Sequence, residues 1–278
     1  MKDKIYSFSQ LDFTCLSEWE RHYELGERGE GNSWSGLGSF AHLLCELVAL
    51  GKMTTKQAHH HWLTKYNKRV SDEFPHLSIR QKGGGTIGLH EHYFRKCEPF
   101  FSRPIYWRGN VTSVEEYVEY SLPSKKRMRG YIDLALDDYD TLVDHKAANV
   151  NNDSWDTDKK RMQLDLYAYA VKQIHGKYPK KLVFNLFQQP SNPIILDFNE
   201  RKMEIAVEWA ENQIKTLEAL VMTKNKLNVD GLFVPDKSKL TEVKKGRAVR
   251  NMKCQSLCEF RNNCKFVSGD VFKDDEAS

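Results

Sequence analysis

Gly130-Tyr131-Ile132-Asp133 and Leu142-Val143-Asp144-His145-Lys146 set two acids and a lysine at the ends of two short apolar stretches. The first belongs to an alternating segment, residues 128–136, with Tyr131, Asp133 and Ala135 on one face and Ile132, Leu134 and Leu136 on the other. Asp137-Asp138-Tyr139-Asp140 reads as a polar turn and residues 141–146 as the returning strand, so the spacing predicts a hairpin. Within the second strand Asp144 and Lys146 point the same way and His145 points opposite, its carbonyl left available to the acid side.

Two carboxylates brought across a hairpin repel each other unless a cation lies between them, and an oxygen-rich site suits magnesium or manganese. Such an ion polarises a phosphoryl oxygen and lowers the pKa of water, and a lysine beside it neutralises charge developing on phosphate. The chemistry implied for Asp133, Asp144 and Lys146 is phosphodiester hydrolysis. The bland alternative is a pair of turn-proximal surface acids matched to Lys146.

At 278 residues the chain is long enough for a full core. Its net charge of +4 is modest, but basic residues cluster in Lys125-Lys126-Arg127-Met128-Arg129, Lys159-Lys160-Arg161, Lys180-Lys181 and Lys244-Lys245-Gly246-Arg247. Arg127, Arg129, Lys160 and Arg161 flank the acidic motif in sequence, where a polyanion would need counter-charge. No apolar run approaches a membrane span and the amino terminus has no signal-like segment, so a cytoplasmic protein without membrane contact is expected.

Apolar periodicity predicts helices over residues 10–25, 39–50, 55–70, 88–100, 158–175 and 201–222, and strands over 113–122, 128–136, 141–146 and 181–188. Strands followed by covering helices predict an α/β fold: a three-layer α/β/α core with a mixed central sheet. The expected organisation is a helical N-terminal lobe (1–110), the core (111–225) and a cysteine-bearing C-terminal tail (226–278), in one compact unit. Residues 149–158 form a polar excursion that carries Trp155 and is long enough to contact substrate.

On the helix after the hairpin, Gln163 and Tyr167 are four apart and therefore neighbours on one face. Glutamine can contact phosphate, and tyrosine can stack on a base or wall the site. Of six cysteines, Cys15, Cys45 and Cys97 are scattered while Cys254, Cys258 and Cys264 lie close together, which fits a metal or iron-sulfur role better than a disulfide framework. Cys45 and Cys97 are expected to be ordinary buried or unpartnered thiols.

In their order along the chain these features resemble the RecB-like branch of the PD-(D/E)XK nuclease superfamily, which includes the AddB nuclease domain and the CRISPR-associated adaptation exonuclease. The family's opening pattern is matched by Ser7, Ser9, Leu11, Cys15, Trp19 and Tyr23, and its glycine-to-histidine helical motif by Gly38-Ser39-Phe40-Ala41-His42. Gly130 to Asp133 matches the glycine-hydrophobic-aspartate motif, Asp144-His145-Lys146 the acid-x-lysine motif, and Gln163 to Tyr167 the glutamine-tyrosine motif. The resemblance implies a restriction-endonuclease-like core with His42, Asp133, Asp144 and the His145 carbonyl holding Mg²⁺ or Mn²⁺. It further implies that Lys146 and Gln163 assist catalysis and that Glu119 and Tyr167 lie beside the substrate. Cys15 with Cys254, Cys258 and Cys264 map onto the family's four-cysteine iron-sulfur (4Fe-4S) site, although three residues rather than two separate the first pair of the tail, which leaves zinc on the same thiolates as an alternative.

The resemblance implies a metal-dependent DNA exonuclease with single strands or frayed ends as the favoured substrate and 5′ to 3′ digestion as the favoured polarity. Two other classes stay open at this point. One is a non-catalytic nucleic-acid-binding protein on the same scaffold. The other is an interaction subunit beside a helicase or within a recombination, phage or CRISPR complex.

Overall fold

A computed structural model describes residues 4–13, 15–29, 31, 33–71, 78–80, 85–102, 109–148, 157–189, 193–227, 233, 241–244, 247–250, 258–260 and 264. The chain divides into two units, one of residues 1–8 and 33–213 and the other of residues 9–32 and 214–278.

The first unit is built on a six-stranded mixed sheet. Strand β1 (Ile5–Ser7) enters first, followed by the short helix α1 (Phe8–Leu11) and then α2 (Leu16–Tyr23) of the other unit. Helices α3 (Ser33–Ala49) and α4 (Thr55–Tyr66, extended by a π-helical turn to Ser71), the two-stranded sheet of β2 (Ser78–Arg80) and β3 (Thr86–Gly88), and α5 (Leu89–Phe101) make a helical N-terminal region. The main sheet continues with β4 (Val111–Ser121), β5 (Arg127–Leu136) and β6 (Thr141–Lys146), crosses over through α6 (Thr157–His175), and ends with β7 (Lys181–Leu186) and β8 (Ile194–Asp197). Strand order is β1-β5-β6-β7-β8 with β4 also on β5. The β1·β5 and β6·β7 pairs are parallel and the others antiparallel, which is the expected mixed α/β sheet.

The way β5 shares its partners positions the site. One edge is taken by β4 through most of its length. On the other edge β1 pairs with Arg127 to Arg129 and β6 pairs with Leu134 to Leu136, so residues 130–133 fall in the gap between two partners. The expected hairpin is real: its turn holds Asp137, Asp138 and Tyr139 in the left-handed region (φ 51°, 55° and 63°), and the Asp137 carboxylate accepts from the Asn110 amide at 2.8 Å.

Helix α3 packs on β4 and β5, and α6 packs on β4 and β6. An aromatic core seals the helical region, where Trp62, fully buried, stacks on Phe101 (centroids 4.4 Å apart) and on Phe40 (5.8 Å). Leu134, Leu136 and Val143 form a second buried cluster under Ala49 of α3.

The expected helix over 10–25 is two short helices flanking an extended Cys15 (φ −140°, ψ 116°), which is the N-cap of the second, and the first follows directly on the strand Ile5–Ser7. Leu11 and Trp19 are both buried across this break, so apolar recurrence alone does not reveal it. Strands β2, β3 and β8 lie where periodicity gave none, as do β9 (Thr241–Lys244) and β10 (Arg247–Arg250) in the second unit, and α7 (Glu200–Leu227) is longer than expected. In the second unit Trp19 stacks on Phe233 at 5.7 Å, and the Arg21 guanidinium lies 3.9 Å from the centre of the Phe260 ring.

Gly130 is required by its neighbour. A Cβ placed there would meet Tyr167 Cε1 at 2.6 Å, so the α6 ring occupies the space a side chain would need. Gly130→Ala is therefore expected to destabilise the protein by about 1–3 kcal/mol. In a double-mutant cycle with Tyr167→Ala, measured by denaturant unfolding, the two substitutions should couple by about 1 kcal/mol or more rather than add. Simple additivity would show that the ring is not what excludes the methyl group.

Candidate active site

Where β6 stops pairing with β5, the peptide of His145 is taken over by side chains. Its N–H donates to Asp133 Oδ2 at 2.6 Å, and its carbonyl lies 3.0 Å from His42 Nε2. A carbonyl can only accept, so His42 Nε2 carries the proton, and its other nitrogen, Nδ1, faces acids: Asp133 Oδ2 at 3.6 Å and Glu115 Oε1 at 3.8 Å. Asp133 and Asp144 extend the register just past its last pair, Leu134↔Val143, so the acids come from directly facing positions of the hairpin.

Glu115 is the residue that sequence reasoning missed. It lies on β4 between the pairs Val114↔Leu134 and Glu116↔Ile132, hence across from Asp133, and its φ of 48° puts it in the left-handed region that glutamate rarely adopts. That conformation costs on the order of 1–3 kcal/mol and aims the carboxylate at the fork. One ligand atom each from His42, Glu115 and Asp133 lie within 4.8 Å of one another.

Electrostatics matches this crowding. Burial, then the charge of Asp144, lifts the Asp133 pKa from 3.8 to about 7, even though His42, Lys146 and the His145 amide pull it down. Burial by itself lowers the His42 pKa, but the carboxylate of Glu115 beside its Nδ1 and the charges of Asp133 and Asp144 outweigh that and hold it above 6.5. The His145 ring is the opposite case. Burial drives its pKa far down, and the neutral ring accepts from Asn185 Nδ2 at 3.2 Å and stacks on Phe187.

The lysine belongs to a second chain of contacts. Lys146 Nζ donates to Asp144 Oδ1 at 2.9 Å and to Gln163 Oε1 at 2.9 Å, and Gln163 Nε2 donates to the Tyr167 hydroxyl at 3.1 Å. Asp144 Oδ2 is also 2.9 Å from Nζ but out of hydrogen-bonding alignment, and it is a buried oxygen with no hydrogen-bond partner. Tyr167 is buried with its ring against Gly130, so it is a wall of the site and not an exposed stacking ring.

Other residues singled out in the sequence lie elsewhere. Glu119 is outside the His42 group: it accepts from the Tyr117 hydroxyl at 3.0 Å and pairs with Arg127. Arg161 is buried against Asp165 (3.0 Å) and donates to the Asp197 carbonyl, so it braces α6 on β8 and does not face a substrate. Arg129 is exposed and Lys160 is half-buried. Trp155 lies outside the described residues.

The expected iron-sulfur centre is corrected. Among the described residues the grouped metal-ligating side chains are those of His42, Glu115 and Asp133, and Cys15, Cys258 and Cys264 form no such group. Burial raises the Cys15 pKa, which favours the thiol over the thiolate that a cluster needs. Cys254 lies outside the described residues. Among the described residues the metal-ligating group is the carboxylate-imidazole one, and no iron-sulfur or zinc-thiolate group accompanies it. Asp144, expected as a metal ligand, accepts from Lys146, and the His145 carbonyl, expected as another, accepts from His42.

The donor set fits a divalent cation: two carboxylates and an imidazole nitrogen converge, and Asp144, paired with Lys146, adds its charge to that of Asp133. Without a cation the arrangement weakens the fold. A carboxyl whose folded pKa exceeds its unfolded value takes up protons on folding between the two, so stability falls as pH rises from about 4 to about 7 and stays reduced above that. The loss expected from Asp133 is on the order of a few kcal/mol. Asp133→Asn should flatten this decline and melt above the native protein at pH 8 in EDTA; parallel slopes for the two proteins in melts between pH 5 and pH 8 would clear Asp133 as the source.

A crystallised protein from Eubacterium rectale named as a candidate exonuclease is similar in fold at 12% identity, with a TM-score of 0.49 over 96% of this chain and 88% of that one. No curated protein gives a match. The profile of the PD-(D/E)XK nuclease superfamily matches residues 7–265, nearly the whole length. With its acid-x-lysine strand beside a carboxylate-imidazole fork, the chain belongs to the PD-(D/E)XK nuclease superfamily.

Proposed function

We propose that this protein is a divalent-metal-dependent deoxyribonuclease of the RecB-like branch, working as an exonuclease on single strands or frayed ends. The observation that carries the reading is the fork itself, where His42, Glu115 and Asp133 bring ligand atoms within 4.8 Å of one another beside a lysine held by an acid and an amide. A bound divalent ion supplies Lewis acidity toward a phosphoryl oxygen and toward water.

His42, Glu115 and Asp133 would hold that ion, and Asp144, paired with Lys146, adds its negative charge to theirs. His145 acts through its peptide, whose N–H and carbonyl fix Asp133 and His42. Lys146 stabilises charge developing on the phosphate, and Gln163, itself anchored by Tyr167, keeps the ammonium from collapsing fully onto Asp144. The imidazole ligand favours manganese over magnesium, because magnesium prefers an all-oxygen shell.

Labelled single-stranded and duplex DNA incubated with Mn²⁺ or Mg²⁺ tests this. Cleavage should be stronger in Mn²⁺, and Glu115→Gln and Lys146→Ala should each lower it by about 100-fold or more while melting remains cooperative. Undiminished cleavage by both variants would move the active site away from the fork.

A further inference from the structure

Beside Asp133 the sheet carries two aromatic rings that the core does not use. Tyr131 and Tyr117 are partners across the β4·β5 ladder, with ring centroids 5.4 Å apart and exposures of 56% and 47%. A cross-strand tyrosine pair steadies a sheet by up to about 1 kcal/mol, but two rings left this open forgo most of the burial they could contribute. The Tyr117 hydroxyl donates to Glu119 at 3.0 Å, which fixes one ring and leaves its faces accessible.

The surroundings are ordered along one strand. Successive same-face positions of β5 are about 6.7 Å apart, so Asp133, Tyr131, Arg129 and Arg127 follow one another at regular steps away from the fork. Arg129 is exposed opposite Glu119, and Arg127 pairs with Glu119, which offsets an acid that would otherwise repel phosphate. Lys125 and Lys126 carry the positive run into the turn that joins β4 to β5. The rings are also tied to the reaction side: Gly130, next to Tyr131, lies against the Tyr167 ring, whose hydroxyl accepts from Gln163, whose carbonyl oxygen holds Lys146.

Acid fork, aromatic pair and basic stretch suit a polymer that presents both flat faces and phosphates. A duplex hides its base faces in its own stack, whereas a single strand can lay them on an aromatic surface. We propose that Tyr131 and Tyr117 form a stacking platform for the unpaired bases of a single-stranded nucleic acid whose backbone follows the edge from Arg129 to Lys125 and enters the fork at Asp133. This rests on the nuclease reading for the events at the fork but not for the binding.

The test compares the native protein with the Tyr117→Val/Tyr131→Val double variant, which keeps β-branched strand residues and removes the rings, and with the corresponding Tyr→Phe double variant, which keeps the faces. Affinity for a fluorescein-labelled oligo(dT) and for a blunt hairpin duplex is read by anisotropy in EDTA, so no cleavage intervenes. The Val variant should bind oligo(dT) at least about tenfold more weakly and the duplex within about twofold of native, and the Phe variant should restore oligo(dT) binding. Native oligo(dT) affinity in a folded Val variant, or an equal loss for the duplex, overturns the platform. If the double variant does not fold, the two single Val variants are read by the same criteria. Cleavage in Mn²⁺ is followed in parallel. A protein that cleaves nothing yet loses oligo(dT) with its tyrosines keeps the platform and sinks the nuclease reading; one that cleaves while its oligo(dT) affinity ignores the tyrosines does the reverse.

Discussion

Strand β5 has three neighbours and only two edges, and the site follows from how it divides one of them. Between the stretch paired with β1 and the stretch paired with β6 lie residues 130–133, which have no strand beside them on that edge while β4 runs along the other. Side chains fill that gap: the Tyr167 ring lies against Gly130, and the Asp133 carboxylate reaches across to accept from the amide of His145. The same gap explains Gly130, since the Tyr167 ring occupies the volume over its Cα. A break in pairing thus becomes a fixed aperture lined by acids.

Fixing those acids is unfavourable in isolation. Glu115 holds a left-handed backbone, Asp133 is pushed to a pKa of about 7 by burial and by Asp144, and the nearest cationic groups are His42 and Lys146. The stabilisation that offsets this lies away from the fork, in the aromatic core around Trp62 and the apolar cluster of Leu134, Leu136 and Val143. Strain at the aperture and dense packing behind it are complementary, because the packing removes the relaxations by which the acids could separate.

Much of this was legible in the residues. The hairpin, the helix that follows it and the neighbouring β7 strand all announce themselves by period and turn chemistry, and the i, i+4 relation of Gln163 and Tyr167 becomes a direct contact. Glu115 was not legible, for two reasons. Its place opposite Asp133 follows from counting back from the turn after Ser121, which needs the turn's length, and a glutamate gives no hint of a positive φ. Glu119 drew attention as a strand acid, yet the same register sets it against Arg129. Arg161 shows the limit of counting charges. In a run of basic residues on a helix each successive side chain turns by about 100°, so one of them faces inward, and Asp165 one turn later neutralises it there. The clustered tail cysteines look like a ligand set in one dimension, but among the described residues they form no group in three.

The charge of the fork also orders its ligands. Glu115, Asp133 and Asp144 oppose a phosphate, and Lys146 is already drawn to Asp144 and Gln163, so an approaching backbone meets net repulsion until a dication neutralises the acids. Each ligand must then strengthen the other: a phosphate placed beside the ion supplies further negative charge to hold it, and by linkage the ion raises affinity for the phosphate by the same factor. Stacking on Tyr117 and Tyr131 lies outside this coupling because it involves no net charge. A strand can therefore be gripped by its bases with the fork empty, while its phosphate is drawn into place only once the cation is there.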